Sequence, residues 1–290
     1  MTATPLDRRL NAYRADLADA RLQGRVAADR FVAGLPRAVV LPVAPLHARP
    51  DVHSGRDSEL IYGETVRVFE MCNGWAWVQS DADGYVGYAP ASALGSAAGL
   101  ATHRVTALAT FVYQRADIKA PVLARLPFGA RLHVTAEDAG FAVLADGGFV
   151  FEGHVAPASR AETDFVEVAA RFLGVPYLWG GRSSLGLDCS ALVQTALSAC
   201  GIACPRDSDM QEAGLGAVVA APVAGHELRR GDLVFWRGHV AIAMGEGRIL
   251  HANAHHMAVA TEDADSAIAR IAAGGSAITS VRRLAGARAT

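Results

Sequence analysis

The sequence has little of what marks several large classes of protein. Its 290 residues include 27 basic and 29 acidic side chains, which gives a formal net charge of -2, and Lys119 is the single lysine. Nucleic-acid-binding proteins carry a basic surplus that is concentrated on one face, and this sequence shows neither a surplus nor a basic cluster. We therefore expect no nucleic-acid partner.

Long apolar segments are missing as well. Residues 1–30 carry charges throughout and lack the apolar core of roughly 7–15 residues that a signal peptide needs. The stretch 189–205 is uncharged, but it contains Ser, Gln and Thr and falls short of the ~20 apolar residues that span a bilayer. The sequence predicts a cytoplasmic protein with no membrane partner.

Cysteine is scarce too, with four in the chain. Without a secretory signal these are expected to be reduced thiols rather than a disulfide framework. They are Cys72, Cys189, Cys200 and Cys204. No CxxC pair or HxxxH spacing provides a zinc site, and the adjacent His255 and His256 are expected to point in opposite directions. We predict no metal and no other cofactor.

The residues that are present indicate a globular chain of more than one domain, since 51% are hydrophobic. Residues 1–30 are predicted to be helical because Leu6, Leu10, Tyr13 and Leu17 recur every three or four positions. Residues 31–97 and 98–158 contain short apolar runs between turn sequences such as Asn73-Gly74, a pattern that favours two small β-barrels.

Residues 159–290 have a different pattern, with helices followed by strands. Helices are expected over 163–173, capped by Thr163 or Asp164, and over 189–200; strands are expected over 233–236, 239–244 and 248–252. The Ala/Gly-rich segment 213–225 is interpreted as a loop of unassigned role. This order predicts an α+β domain.

Cys189 has the sequence context of a nucleophile. It follows a glycine-rich break and begins a predicted helix, where unpaired backbone N–H groups and the helix dipole lower the pKa of a thiol. Its own backbone N–H could help to hold an oxyanion. A buried, inert cysteine is the alternative.

A base for this thiol is expected on a β-hairpin. If the strands 239–244 and 248–252 turn at Gly245, His239 and His251 lie directly opposite each other on one face. One histidine can then accept the thiol proton while the other orients it. A register slip of one residue would move His251 to the opposite face.

These motifs resemble the NlpC/P60 cysteine peptidases of peptidoglycan. The resemblance covers about residues 160–285 in the expected order, through Tyr177-Leu-Trp-Gly-Gly, Asp188-Cys189-Ser190, Pro205-Arg206-Asp207-Ser208, Gly231-Asp232-Leu-Val-Phe-Trp, Gly238-His239-Val and His251-Ala. It implies a papain-like catalytic domain, and the two upstream barrels resemble bacterial SH3 domains. The arrangement is similar to the γ-D-glutamyl-L-diamino acid dipeptidyl-peptidases of murein peptide recycling.

The resemblance also implies roles. Cys189 would be the nucleophile, His239 the base and later the acid, and His251 the orienting residue. Tyr177 would lie near the thiol and shape the oxyanion region. Three further residues would line the substrate side: Asp188, Ser190 and Asp207.

The family branch requires a free N-terminal L-Ala on its substrate. A buried ammonium needs an acidic partner, because leaving its charge unpaired costs several kcal/mol. Asp207 is the candidate in the catalytic domain. The family also places an acid and a tyrosine of the first barrel over this amine, for which we select Glu64, with Glu59 as the alternative acid, and Tyr85.

The predicted reaction is hydrolysis of the γ-D-glutamyl–diamino acid bond of a murein tri- or tetrapeptide, with release of L-Ala-D-Glu. The sequence leaves open whether the diamino acid is meso-diaminopimelate or L-Lys, and which oligomer forms. The alternatives are an amidase or acyl transferase with the same Cys–His pair on another amide or lipid, and a non-catalytic peptidoglycan-binding protein.

Overall fold

The computed structural model describes residues 6–96, 99–219 and 224–285. Contacts between Cα atoms divide the chain into two compact units, Met1–Arg160 and Ala161–Thr290. No helix in the described ranges is long and apolar enough to cross a membrane.

The described part of the first unit is built from strands and three short 3₁₀ turns. The strands are β1 (Ala18–Asp19), β2 (Phe31–Val32), β3 (Leu35–Val39), β4 (Val43–His47), β5 (Arg56–Ile61), β6 (Thr65–Cys72), β7 (Trp75–Ser80), β8 (Val86–Pro90), β9 (Leu94–Gly95), β10 (His103–Val105), β11 (Ala109–Tyr113), β12 (Val122–Pro127), β13 (Arg131–Leu132), β14 (Val134–Asp138), β15 (Phe141–Leu144), β16 (Phe149–Phe151) and β17 (Val155–Pro157).

The predicted N-terminal helix is wrong for the described residues 6–30. This segment forms turns, the two-residue strand β1 and one 3₁₀ turn, Ala20–Leu22. Its apolar residues Ala12 and Leu17 pack with Phe69 and Trp77 in one cluster, and the guanidinium of Arg14 lies 4.4 Å from the Trp77 ring centroid. Tertiary packing on a sheet has overridden a weak helical periodicity.

The first sheet has seven strands in the order β5-β4-β8-β7-β6-β3-β9. Alternate side chains of its strands point inward and form a core that includes Leu46, Leu60, Val66 and Val78. The turn between β6 and β7 uses Asn73 and Gly74, both at positive φ, as expected for a tight hairpin. The hairpin predicted at Asn73-Gly74 is therefore correct.

The rest of the first unit contains a five-stranded sheet, β12-β11-β16-β15-β14, and a three-stranded sheet, β13-β10-β17. Their shared core includes Val105, Leu126, Leu132 and Val150, and Ile61 of the first sheet packs into it. Among the strands that the sequence did not indicate are β3, β4 and β12, each of which contains a proline.

The second unit contains four helices and eight strands in its described residues. The helices are α1 (Phe165–Ala170), α2 (Cys189–Ala199), α3 (Ser208–Gly214) and α4 (Ala264–Ala273). The strands are β18 (Arg182–Ser183), β19 (Gly186–Leu187), β20 (Ala217–Val219), β21 (Asp232–Trp236), β22 (His239–Gly245), β23 (Arg248–Asn253), β24 (Ala258–Asp263) and β25 (Ile278–Arg283).

Six of these strands form a sheet with the order β20-β25-β21-β22-β23-β24, and its neighbouring strands are antiparallel. Val234, Ala241 and Ile249 share a core cluster with Ala264 and Ala267 of α4, and α2 packs on β22 and β23. The helix-then-sheet order is that of the predicted α+β class.

The loop predicted over 213–225 is only partly correct. Residues 217–219 form strand β20, which pairs with β25 from Ala217 opposite Arg283 to Val219 opposite Val281. An edge strand of this kind forms because it pairs with a neighbouring strand, and its own amino-acid composition does not indicate it. Residues 220–223 lie outside the described ranges.

Candidate active site

Cys189 is the first residue of α2, as predicted. The carboxylate of Asp188 caps the helix by accepting a 2.8 Å hydrogen bond from the backbone N–H of Ala191. The thiol is buried, with Cys189 7% exposed, and its sulfur accepts a hydrogen bond from the backbone N–H of Val240. Since Val240 follows His239 on β22, the sulfur lies beside the start of the strand that carries the predicted base.

The pKa of the Cys189 thiol is raised to about 12, chiefly by burial and then by the charge of Asp188. Hydrogen bonds from the backbone N–H groups of Val240 and Ser190 act in the opposite direction. The sequence predicted a lowered pKa from the helix N-terminus, and this prediction is wrong because desolvation outweighs the dipole. The resting site therefore contains a protonated thiol, which needs a base to become a nucleophile.

His239 and His251 meet as expected, with 2.8 Å between His239 Nε2 and His251 Nδ1. Their register differs from the prediction. Glu246 and Gly247 both have positive φ and form the turn, and Ile242 pairs with Leu250. Residue 251 is thus level with residue 241, so the histidines are diagonal rather than opposite. A shift of two residues keeps them on the same face.

The structure adds a residue that the sequence analysis missed. Glu262 on β24 places Oε1 2.7 Å from His251 Nε2, and both its carboxylate oxygens accept from Arg270 of α4, at 2.6 and 2.8 Å. Burial acts to raise the pKa of the Glu262 carboxyl, but the hydrogen bonds from Arg270 and His251 outweigh burial and lower it. The alternation of residues 258–263 could have suggested a strand, but not its sheet partner.

Both histidines are neutral in this setting. Burial, followed by the neighbouring His251, lowers the pKa of His239 to about 3. Burial also lowers the pKa of His251, and Glu262 only partly opposes it. A neutral imidazole at His239 has one nitrogen free to accept a proton, as a general base requires.

Tyr177 is half-buried near Cys189. Its backbone N–H donates to the carbonyl of Met257, and it forms a bridge with Leu187, two residues before Cys189. Burial raises the pKa of its hydroxyl to about 12, with further contributions from Cys189 and Asp188. The phenol is thus a neutral hydrogen-bond donor at physiological pH, and its predicted role in the oxyanion region stays a prediction.

Asp188 and Ser190 belong to a buried polar network that also contains Arg206, a residue the sequence analysis did not single out. The Arg206 side chain is 1% exposed and donates to both Asp188 oxygens, at 3.0 and 2.6 Å, and to Ser190 Oγ at 2.9 Å. Asp188 also accepts from the backbone N–H of Gly180 at 3.0 Å. These contacts give Asp188 a role in holding the nucleophile helix, and its predicted contact with substrate stays a prediction.

Asp207 stands at the N-cap position of α3, yet its side chain does not cap that helix. Its backbone carbonyl accepts from the N–H of Gln211 at 2.9 Å. Asp207 directly follows Arg206, so the buried network holds the backbone position from which the Asp207 side chain extends. Its predicted contact with the substrate amine stays a prediction.

The first-unit candidates have structural contacts of their own. Glu64 is buried and accepts from the backbone N–H of Ile61 at 2.9 Å, and Glu59 is buried in an ion pair with Arg56. Tyr85 is buried in the core of the first sheet. The predicted role of Glu64 and Tyr85 over a substrate amine stays a prediction.

The adjacent His255 and His256 do not point apart. Their rings meet edge to face with centroids 4.7 Å apart, because they lie in a turn rather than in a strand. Together with Glu262 they place possible metal-ligand atoms within 4.8 Å of one another. Both oxygens of Glu262 already accept from Arg270, so a cation would have to displace a guanidinium, and we assign no metal to this cluster.

A protonated thiol at a helix N-terminus, next to a strand that carries a neutral, hydrogen-bonded histidine, is the arrangement that a cysteine hydrolase requires. Residues 174–271 match the NlpC/P60 family, and residues 46–94 match the bacterial dipeptidyl-peptidase SH3 domain. The chain thus carries an NlpC/P60 domain and a bacterial dipeptidyl-peptidase SH3 domain.

Two relatives and one solved structure are similar to most of the chain. The chain is 28% identical over 239 residues to "Dipeptidyl-peptidase 6" of Lysinibacillus sphaericus, covering 74% of this chain and 86% of the relative. It is 29% identical over 221 residues to "Gamma-D-glutamyl-L-lysine dipeptidyl-peptidase" of Bacillus subtilis, covering 67% and 71%. An NlpC/P60 family protein of Bacillus cereus has the same fold, with a TM-score of 0.70, 20% identity, and coverage of 86% of this chain and 99% of that one.

Proposed function

We propose that this peptidase hydrolyses the bond between D-glutamate, linked through its γ-carboxyl, and the diamino acid of free murein peptides that begin with L-Ala. The observation that carries the proposal is the position of Cys189 at the start of α2, hydrogen-bonded to Val240 beside the His239–His251 pair. The name of the Bacillus subtilis relative supports this bond type.

In the proposed reaction, the thiol proton of Cys189 passes to His239 as the sulfur attacks the γ-glutamyl carbonyl carbon. The carbonyl oxygen becomes an oxyanion, which the backbone N–H of Cys189 and the hydroxyl of Tyr177 would stabilise. His239 then donates its proton to the leaving amine of the diamino acid, and the C–N bond breaks. Water attacks the thioester with His239 as base, and L-Ala-D-Glu is released with the thiol restored.

Recognition of the free α-amine is the second part of the proposal. Asp207 would pair with the ammonium of the substrate's N-terminal residue. A blocked or uncharged terminus would bring no cation to this carboxylate and would lose the charge pair, so such peptides should be rejected. A cytoplasmic location goes with this proposal, and subcellular fractionation tests it.

The test is mass spectrometry of products from L-Ala-γ-D-Glu-diamino acid tripeptides, with either meso-diaminopimelate or L-Lys. The wild-type protein should release L-Ala-D-Glu, and Cys189→Ala should release none. Cys200→Ala is the matched control, because Cys200 lies at the other end of α2. Failure to cleave any γ-D-glutamyl peptide would refute the proposed substrate.

Recognition of the substrate's α-amine is tested with the N-acetylated tripeptide and with the variant Asp207→Asn. Both changes should reduce kcat/KM by at least about 10-fold, since each removes one partner of a charge pair. Equal cleavage of free and acetylated peptides would reject amine recognition. Asp207→Asn with full activity would favour the amidase or acyl-transferase alternative, in which no acidic amine pocket is needed.

A further inference from the structure

We propose that Glu262, held by Arg270, is a positioning residue that determines which nitrogen of His239 is the catalytic base. The inference rests on the proposed catalytic roles of Cys189 and His239. It concerns the three hydrogen-bonded side chains His239, His251 and Glu262, which we call the relay.

The relay crosses three adjacent strands on one face of the sheet. His239 is on β22, His251 on β23 and Glu262 on β24, and Glu262 pairs in register with Ile249, two residues from His251. In the strand register, each member of the relay thus lies two residues from the position directly opposite its neighbour, and a shift of two residues keeps the side chains on one face. The two contacts are 2.8 Å and 2.7 Å long, within the range of good hydrogen bonds.

The hydrogen positions follow from the chemistry at the far end. A carboxylate accepts hydrogen bonds but donates none, so the proton between Glu262 and His251 must be carried by His251 Nε2. A neutral His251 then has a lone pair on Nδ1, and His239 Nε2 must be the donor to it. A neutral His239 with its proton on Nε2 has its lone pair on Nδ1. Only this nitrogen can take the thiol proton.

Burial of the relay excludes other positions for these protons. The His251 side chain is 0% exposed and that of Glu262 is 13% exposed, so water does not replace a missing partner of His251. Arg270 keeps Glu262 ionised through its two hydrogen bonds. The other titratable group that faces this carboxylate is His256, whose Nδ1 is 3.7 Å from Glu262 Oε1.

The relay also stabilises the charged state formed during the reaction. After proton transfer, the imidazolium of His239 donates from Nε2 to His251, and His251 donates in turn to the negative charge of Glu262. A positioned carboxylate stabilises an imidazolium in this way when it contacts the base directly. Here the imidazole of His251 lies between the carboxylate and the base. Four side chains therefore act together rather than three: Cys189, His239, His251 and Glu262.

The direct test is the tautomer of each histidine, measured from ¹⁵N chemical shifts of the imidazole nitrogens in Cys189→Ala protein. His239→Gln and His251→Gln variants assign the signals. With Glu262 intact, both rings should carry their proton on Nε2. A proton on Nδ1 of His251 would overturn the proposal. This measurement needs no substrate and no variant of Glu262.

The kinetic test compares Glu262→Leu with wild type. We expect kcat to fall about 10- to 100-fold, as for partners that orient a functional imidazole, with KM changed less than about twofold because Glu262 does not contact substrate. Glu167→Leu is the matched control: this glutamate also pairs with an arginine, Arg230 at 2.5 Å, but far along the chain from the relay. An unchanged kcat in Glu262→Leu would refute the proposal.

A third readout separates this inference from the proposed substrate. Alkylation of Cys189 by iodoacetamide, followed by peptide mass spectrometry, reports how well His239 accepts the thiol proton. It should slow in Glu262→Leu and not in Glu167→Leu. If no γ-D-glutamyl peptide is cleaved but both tautomers and alkylation behave as expected, the proposed function fails while the relay stands.

Discussion

Arg206 is the most informative residue to perturb, because a fully buried guanidinium holds the cap of the nucleophile helix. Arg206→Met keeps most of the apolar stem and removes the charged head. The change deletes two hydrogen bonds to Asp188, at 3.0 and 2.6 Å, and one to Ser190 Oγ. Asp188 is left as a buried carboxylate whose donors are two backbone N–H groups and the Ser190 hydroxyl, with no cation beside it.

The expected loss follows from this burial. Removing one partner of a buried ion pair costs about 3–5 kcal/mol of unfolding free energy, because the remaining charge is uncompensated. Arg230→Met is the matched control: Arg230 pairs with Asp164 and Glu167 on the surface of the same unit, where such pairs contribute at most about 1 kcal/mol. Adding Asp188→Asn to Arg206→Met should recover part of the loss, since it removes the stranded charge.

The assay is hydrogen exchange of the α2 amides at increasing urea, read by mass spectrometry, which reports the free energy of opening the second unit itself. A two-unit chain makes a single melting curve hard to interpret. A loss in Arg206→Met of less than about 1 kcal/mol, equal to that in Arg230→Met, would refute the reasoning. So would a double variant that is less stable than Arg206→Met.

Two further predictions concern the thiol and the first unit. Since the pKa of the Cys189 thiol is raised to about 12, its alkylation rate should rise roughly tenfold per pH unit across the alkaline range; a plateau near neutral pH would show a preformed thiolate instead. Gly63→Ala should destabilise the first unit strongly, since a Cβ there would lie 2.0 Å from the carbonyl oxygen of Arg131. Gly74→Ala, also at positive φ but with open space around it, should cost only about 1 kcal/mol. Equal losses in the two variants, measured by hydrogen exchange of the first unit's amides, would contradict the steric argument.

Local signals in the sequence were sufficient for helix α2 and for the hairpin between β6 and β7. The glycine-rich break before Cys189 and the cap at Asp188 are properties of neighbouring residues, so α2 begins where predicted. The N-terminal segment shows the opposite case. Its three- and four-residue spacing resembled a helix, but Ala12 and Leu17 are buried against Phe69 and Trp77, residues that are more than fifty positions away.

The histidine pair shows where prediction reached its limit. Period-two alternation placed His239 and His251 on one face, and that inference survives a change of register by two residues. The register itself depended on the backbone conformation of Glu246 and Gly247, both at positive φ. A glutamate at positive φ is uncommon, so the sequence predicted the turn one to two residues too early.

The sequence by itself determined the chemistry that is available: one thiol at a helix start, two histidines on a hairpin, and the motifs of a family. These features are local, because helix caps, strand alternation and turn residues act over a few positions. The tertiary structure decided the electrostatics. Burial rather than the helix dipole determines the pKa of Cys189, and β24 and α4 bring Glu262 and Arg270 to His251, because desolvation and sheet order depend on residues that are distant in the chain.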